Sequence, residues 1–262
     1  MKNIIKPAIL LLITLLLSGS TNFTGESEAA NRKRDFPVLT WNVRNCRGLD
    51  DITDYQRVAE IIKRIDPAVV ALQELDSATL RSNGVVVLDE LARRTNMYPV
   101  YGPSIDFQGG KYGVGILTKE RPLRWRFVPL PGREESRSLL IVELKKVIIC
   151  CSHFSLNEED RLESAIIIND MFNDSAKPVI LAGDLNASPE SEVIKRLEEK
   201  WTMLNNPGIP SFPADNPVRC IDYIFVLKGS DSGIRAYETR VEQEPVASDH
   251  LPVWVRFKTG RV

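Results

Sequence analysis

The chain has 262 residues, 43% of them hydrophobic and 26% charged, with 34 Lys and Arg against 35 Asp and Glu. That mixture excludes a disordered, fibrous or collagenous chain, and the length suffices for one large core or two small ones. The net charge of −1 offers no positive surplus of the kind that grips nucleic-acid phosphates, and no repeat of solenoid or propeller spacing occurs.

Lys2 and Lys6 precede an apolar run at residues 8–17, which Ser18, Gly19 and Ser20 close. This charged, apolar, small-residue order is that of a secretory signal, and the run is half the ~20 residues that a membrane-spanning helix needs. We expect residues 1–30 to be a signal peptide with a short leader, and 31–262 to be one exported domain. A buried N-terminal helix is the alternative. Losing Lys2 and Lys6 with residues 1–20 takes the charge from −1 to −3, and losing Glu26 and Glu28 as well returns it to −1, so neither product is basic.

From Asp35 the elements alternate. A strand is expected at 36–42. Thr53 and Gln56 form a capping box for a helix in which Tyr55, Val58, Ala59, Ile62 and Ile65 share a face, stopped by Pro67. A continuously apolar strand at 68–72 and a helix at 85–95 follow, with a loop at 102–111. Strands are expected at 112–118, 123–128, 138–144 and 147–152. A helix at 158–172, with Leu162, Ala165, Ile166 and Ile168 inward, leads to a strand at 179–182 and a helix after Pro189. Then come a Pro- and Asn-rich loop at 205–216 and strands at 220–227, 236–241 and 252–257. Several consecutive strands punctuated by helices imply an α/β fold of two stacked mixed sheets with helices outside, a four-layer α-β-β-α sandwich.

The four cysteines, Cys46, Cys150, Cys151 and Cys220, lack the Cys-x-x-Cys spacing of a zinc knuckle. Cys150 and Cys151 are adjacent in an expected strand and so point to opposite faces. Buried thiols are expected, with a Cys46–Cys220 bridge as the alternative.

The only histidines, His153 and His250, sit at the ends of apolar strand patterns. So do other polar residues: Asn42 after Val38–Trp41, Gln73-Glu74 after Val69–Leu72, Asp184 and Asn186 after Val179–Gly183, and Asp249 beside His250, while Asp222 lies inside 220–225. Solvated strand ends would explain one such residue. Several carboxylates buried at one end of a sandwich need a shared cation or imidazole partners. Carboxylate oxygens and an Asn carbonyl are hard ligands suited to Mg²⁺ or Mn²⁺. Phosphate-ester hydrolysis needs such a cation, a positioned water and an imidazole.

Six segments in this order, Thr40-Trp41-Asn42-Val43-Arg44, Leu72-Gln73-Glu74, Ser152-His153-Phe154, Gly183-Asp184-Leu185-Asn186, Ile221-Asp222-Tyr223-Ile224 and Ser248-Asp249-His250, resemble the endonuclease/exonuclease/phosphatase superfamily with the DNase I-like fold. Residues 45–50 and 109–113 look like its compact, secreted bacterial metal-dependent hydrolases. The resemblance implies that Glu74, with Asn42 and Asp249, holds the cation. Asp184, helped by Asn186, would position or deprotonate the attacking water. His250, oriented by Asp222, would meet the phosphoryl group, and His153 another of its oxygens. Arg137 would clamp phosphate or be a solvated surface arginine; Arg44, on the strand face of Asn42, is a further phosphate-binding candidate. Asn186 has a plainer alternative as the cap of the helix after Pro189.

The resulting expectation is a monomeric, exported, Mg²⁺- or Mn²⁺-dependent hydrolase of a phosphate ester, a phosphodiester before a monoester. A secreted nuclease and a lipid phosphodiesterase of sphingomyelinase type are the enzymatic alternatives. A non-catalytic binding scaffold is the alternative of another class. The loop at 103–110 offers a membrane only Ile105 and Phe107.

Overall fold

Two strand pairs, one in each sheet, explain why the polar strand ends meet. The computed structural model describes residues 35–172, 175–230 and 234–258, within a unit spanning Asp35–Val262. The segment at 1–30, expected to be an export signal, lies outside the described residues.

One sheet contains β1 (Asp35–Asn42), β2 (Val69–Ser77), β3 (Tyr98–Phe107), β4 (Gly110–Thr118), β11 (Arg235–Val241) and β12 (Val253–Lys258), in the order β11-β12-β1-β2-β4-β3. The other contains β5 (Arg124–Leu130), β6 (Arg137–Glu143), β7 (Ile148–His153), β8 (Val179–Asp184), β9 (Trp201–Met203) and β10 (Asp222–Leu227), ordered β5-β6-β7-β8-β10-β9. β1 and β2 are parallel, as are β7 and β8, and every other pairing is antiparallel. Asn42, His153 and Asp184 are the last residues of β1, β7 and β8, and Glu74 lies three residues before the end of β2.

Period-two alternation builds the layers. Val38, Ala71, Ile149, Cys151, Ala182 and Ile224 face the partner sheet in one buried cluster. Leu39, Trp41, Val70 and Leu72 face the other way, against α1 (Tyr55–Ile65) and α2 (Val87–Thr95). Cys150, Leu181 and Phe225 lie in the cluster beneath α3 (Glu158–Met171) and α4 (Glu192–Glu198). This is the expected four-layer sandwich. Each fully buried Val or Leu side chain contributes about 1.5–3 kcal/mol relative to exposure, which is why central strands apolar on both faces are stable here.

Some local expectations need correction. Asp54, not Thr53, caps α1 and accepts a hydrogen bond from the Arg57 amide at 2.9 Å. Thr53 instead forms an isolated bridge with Arg47. The helix stops as expected, with Asp66 left-handed before Pro67. Most of the loop expected at 102–111 is strand, in β3 and the start of β4. On α3, Ile166 is exposed while Ile167 packs against the core. The four cysteines are free and buried, so the Cys46–Cys220 bridge is absent. Burial pushes all four thiols up, Cys151 and Cys220 to about 12. Among the described residues, no helix is long and apolar enough to cross a membrane.

Candidate active site

The face that carries Ala and Val in mid-sandwich turns polar at one end. Register places His153 beside Asp184 across β7 and β8, and Asp184 beside Asp222 across β8 and β10. Three neighbouring strands thereby present an imidazole and two carboxylates side by side. Gly183 permits the close approach: a Cβ there would lie 2.0 Å from the Ser152 carbonyl oxygen. From the other sheet Asn42 ends β1, and Glu74 sits in a bulge of β2 between Leu72 and Leu75, left-handed at φ 60°. Arg44, Asn45, Cys46 and Asn186 also have positive φ, so left-handed backbone concentrates around this end.

Glu74, Tyr112, Arg137, His153, Asp184 and His250 line an open cleft of about 310 Å³, together with Glu135, Leu156, Asn186, Phe212 and Asp249. Asn42 crosses between the sheets. Its Nδ2 donates to Glu74 Oε1 at 3.0 Å and to Asp184 Oδ2 at 3.1 Å, while its Oδ1 accepts from the Arg44 amide. Asn42 thus turns donors toward the cluster. Asp184 Oδ1 accepts from the Asn186 amide at 3.0 Å. The side-chain Nδ2 of Asn186 donates to the Phe154 carbonyl, and Ser191 caps α4, so Asn186 is not a helix cap.

The two histidines differ in charge. Asp222 Oδ2 lies 2.9 Å from His250 Nδ1 and accepts from Ser211 Oγ at 2.5 Å, while His250 Nε2 is 3.6 Å from Asp184 Oδ2. Burial alone would lower the His250 pKa, but Asp222, Asp184 and Asp249 outweigh it and raise it to about 10. Burial dominates at His153 and takes it down to about 4, with Arg137 beside it opposing a second positive charge. His153 Nε2 lies 3.5 Å from Asp184 Oδ2, and its Nδ1 is 3.3 Å from Arg137 Nη1. Arg137 is buried and reaches Glu135 at 2.9 Å, so it is not a solvated surface arginine. Arg44 lies in a 3₁₀ turn past the end of β1, not on its face, and stands 3.9 Å from Asp249.

Asp184, Asp222 and His250 offer ligand atoms within 4.8 Å of one another. His250 Nδ1 meets Asp222 at 2.9 Å and its Nε2 faces Asp184 at 3.6 Å, so the three side chains form one chain of polar contacts. Glu74 and Asp249 fit a hard cation. Burial raises the pKa of Glu74; Asn42 opposes that rise, and neighbouring Asp249 and Asp184 add to it. Such crowding of carboxylate charge is relieved by a bound cation.

The profile of the Endonuclease/Exonuclease/phosphatase family matches residues 39–250. The chain belongs to that family. Members hydrolyse phosphate esters with the help of a divalent cation, so the protein is a metal-dependent hydrolase acting on phosphate ester bonds. Among solved structures, an endonuclease/exonuclease/phosphatase from Beutenbergia cavernae is 24% identical, with 87% of this chain and 72% of that one covered at a TM-score of 0.75. A mannosyl-6-phosphatase from Bacteroides thetaiotaomicron is 16% identical, with 85% and 99% covered at a TM-score of 0.65. The human Nocturnin catalytic domain with bound sulfate is 17% identical, with 87% and 94% covered at 0.66. These likenesses show the DNase I-like fold. No curated protein sequence matches the chain.

All the expected family residues except Arg44 gather at this end or line the cleft, and Arg44 flanks it through Asp249. Sequence reasoning did not single out Ser211, Ser248, Tyr112, Glu135 or Phe212. Ser248 Oγ donates to the Asn42 carbonyl at 2.7 Å and lies 3.2 Å from Asp249 Oδ1. Its place in Ser248-Asp249-His250 was the available signal. Phe212 packs its ring 4.7 Å from that of His250, and nothing local in the sequence marks it.

Proposed function

We propose that the protein is an exported phosphodiesterase that hydrolyses its substrate by cation-assisted attack of water. The observation that carries this reading is the bridge from Asn42 to Glu74 and Asp184, which sets a cation-binding carboxylate beside a water-activating one. Mg²⁺ or Mn²⁺ at Glu74 and Asp249 would neutralise charge on a non-bridging phosphate oxygen. Asp184 accepts a proton from water as the water oxygen bonds to phosphorus and the ester P–O bond breaks, the leaving oxygen keeping the bonding pair and taking a proton from solvent. His250, held by Asp222 through Nδ1, donates one hydrogen bond from Nε2 to a phosphoryl oxygen as negative charge develops. Arg137 and His153 hold another oxygen, and the Asn186 amide fixes the Asp184 carboxylate at the end of β8. Export rests on the residue pattern at 1–30, and one self-contained sandwich is consistent with a monomer.

The test is hydrolysis of an aryl phosphodiester by chelator-treated protein. Activity should vanish in excess chelator and return with Mg²⁺ or Mn²⁺. Glu74→Gln, which keeps shape and removes charge, should require more metal and lose the rise in melting temperature that the cation gives the parent. Full turnover in chelator after dialysis refutes the assignment, and so does metal stabilisation unchanged in the variant.

A further inference from the structure

Far from the cleft, the segment Arg121-Pro122-Leu123-Arg124-Trp125-Arg126-Phe127 sets cations and large apolar side chains side by side on an open edge. Strand β5, which holds most of it, is the outermost strand of its sheet. Leu123 is 60% exposed, Trp125 61% and Phe127 48%, and Arg121, Arg124 and Arg126 are exposed too. Trp125 and Phe127 pair with Val142 and Leu140, which face the partner sheet, so they extend that apolar layer to the edge, while Arg124 and Arg126 lie on the strand's other face and both sets are exposed along it. The β6–β7 corner beside them adds exposed Lys145 and Lys146.

Acidic groups are few here. Glu143 is shared by Arg124 and Lys177, and a Glu120 carboxylate oxygen accepts from the Lys145 amide. Arg121, Arg126 and Lys146 have no ion-pair partner among the described residues. Arg124, Arg126, Trp125 and Phe172 border a cavity of about 280 Å³, which Glu143 lines as well.

Edge strands are commonly guarded by charge and proline, and Pro122, Pro129 and the arginines do guard this one. Guarding does not account for three large exposed apolar side chains. Tryptophan and leucine between arginines are what an anionic lipid interface accepts: rings at head-group depth, guanidinium groups on phosphates. A second copy pairing along β5 would join two arginine-bearing strands with no acidic residue on either. Single-stranded nucleic acid would find one Trp and one Phe to stack on, and an aliphatic Leu123 that stacks on nothing.

We infer that β5, with Arg121 and the Lys145–Lys146 corner, is a docking surface for an anionic phospholipid bilayer. The register fixes what this does for the enzyme. Leu130 pairs with Arg137 at the cleft, and Arg124 pairs with Glu143 at the far end. Six residues of antiparallel strand separate those positions by about 20 Å. Docking through Leu123 and Trp125 holds the cleft away from the head groups, so the bound enzyme works on phosphate esters dissolved beside the membrane, not on the lipids that hold it.

Trp125 reports this directly, because Trp41, Trp201 and Trp254 are only 0%, 0% and 4% exposed. The full chain is mixed with vesicles of phosphatidylcholine alone or mixed with phosphatidylglycerol, with and without brominated acyl chains. Binding should require phosphatidylglycerol, shift tryptophan emission to the blue and show bromine quenching, which Trp125→Phe should abolish. Each of Arg124→Ala and Arg126→Ala should weaken binding about fivefold. Leu123→Ser with Trp125→Ser should weaken it more, with aryl phosphodiester hydrolysis unchanged. Four results would overturn the inference: no binding, equal binding to neutral vesicles, undiminished binding of the double variant, which would assign attachment to the apolar run at 8–17, or displacement by single-stranded DNA with the same protection of Trp125.

Discussion

Replacing Asp222 by Asn tests whether the buried carboxylate and His250 act as one unit. Asp222 Oδ2 serves both His250 Nδ1 at 2.9 Å and Ser211 Oγ at 2.5 Å, while Oδ1 is buried with no hydrogen-bond partner. An Asn that keeps its oxygen toward His250 and Ser211 must place an amide nitrogen where Oδ1 stood, and that buried donor has nothing to meet. An unsatisfied buried donor costs about 1–3 kcal/mol, so the variant should unfold at lower urea while remaining folded in buffer. The chemical effect is larger. His250 keeps its orientation but loses the charge that supports an imidazolium, and hydrolysis should slow about 10²–10⁴-fold, equivalent to ~2.7–5.5 kcal/mol. His250→Ala should fall within the same range, and the double variant should be little worse than His250→Ala alone. The assay is aryl phosphodiester hydrolysis at saturating Mg²⁺, with urea melts run in parallel. Multiplicative losses in the double variant, or full activity in Asp222→Asn, would refute the coupling.

The four buried thiols should react with an aromatic disulfide only after unfolding. Because burial holds Cys151 and Cys220 protonated to about pH 12, against an ordinary value near 9, their contribution to stability should be full below pH 9 and decline toward pH 12. Urea midpoints across that range measure the loss, and rapid labelling of native protein at pH 8 would contradict the burial. Leu181→Ala, beneath α3 and α4 with no exposed surface, should cost about 2–5 kcal/mol in a urea melt without moving the metal requirement. A cost below about 1 kcal/mol would show that this layer collapses around the gap.

The layers were legible because periodicity reports burial directly. Val69–Leu72 is apolar on both faces, and α1 is apolar at helical spacing. The loop expected at 102–111 failed for a physical reason: Pro99, Gly102 and Pro103 break a strand pattern in the middle of a sheet but are tolerated at its edge, where β3 lies. β9, at the other sheet's edge, has three residues and no period to read. The site residues were legible as polar interruptions, since Asn42, His153, Asp184 and Asp222 each end or begin a strand and Glu74 interrupts one. Their geometry was not. The β2 bulge that turns Glu74 and the Phe212 ring against His250 depend on partners far along the chain, and no local pattern encodes them.

How the carboxylates are held separates this end of the sandwich from the rest of the molecule. Elsewhere buried acids are neutralised: Asp76, with no exposed surface, takes a two-pronged contact from Arg81 at 2.7 and 2.8 Å. In the cleft the donors are mostly neutral. Asn42 serves Glu74 and Asp184, the Asn186 amide serves Asp184, and Ser211 serves Asp222. Neutral donors satisfy lone pairs and fix position without cancelling charge. Arg44 reaches Asp249 only at 3.9 Å, and Arg137 is turned to Glu135 and His153. Glu74 and Asp249 therefore keep the negative potential that a divalent cation requires. An arginine in place of Asn42 would be the more stabilising partner for two carboxylates, and it would consume the potential on which the chemistry depends.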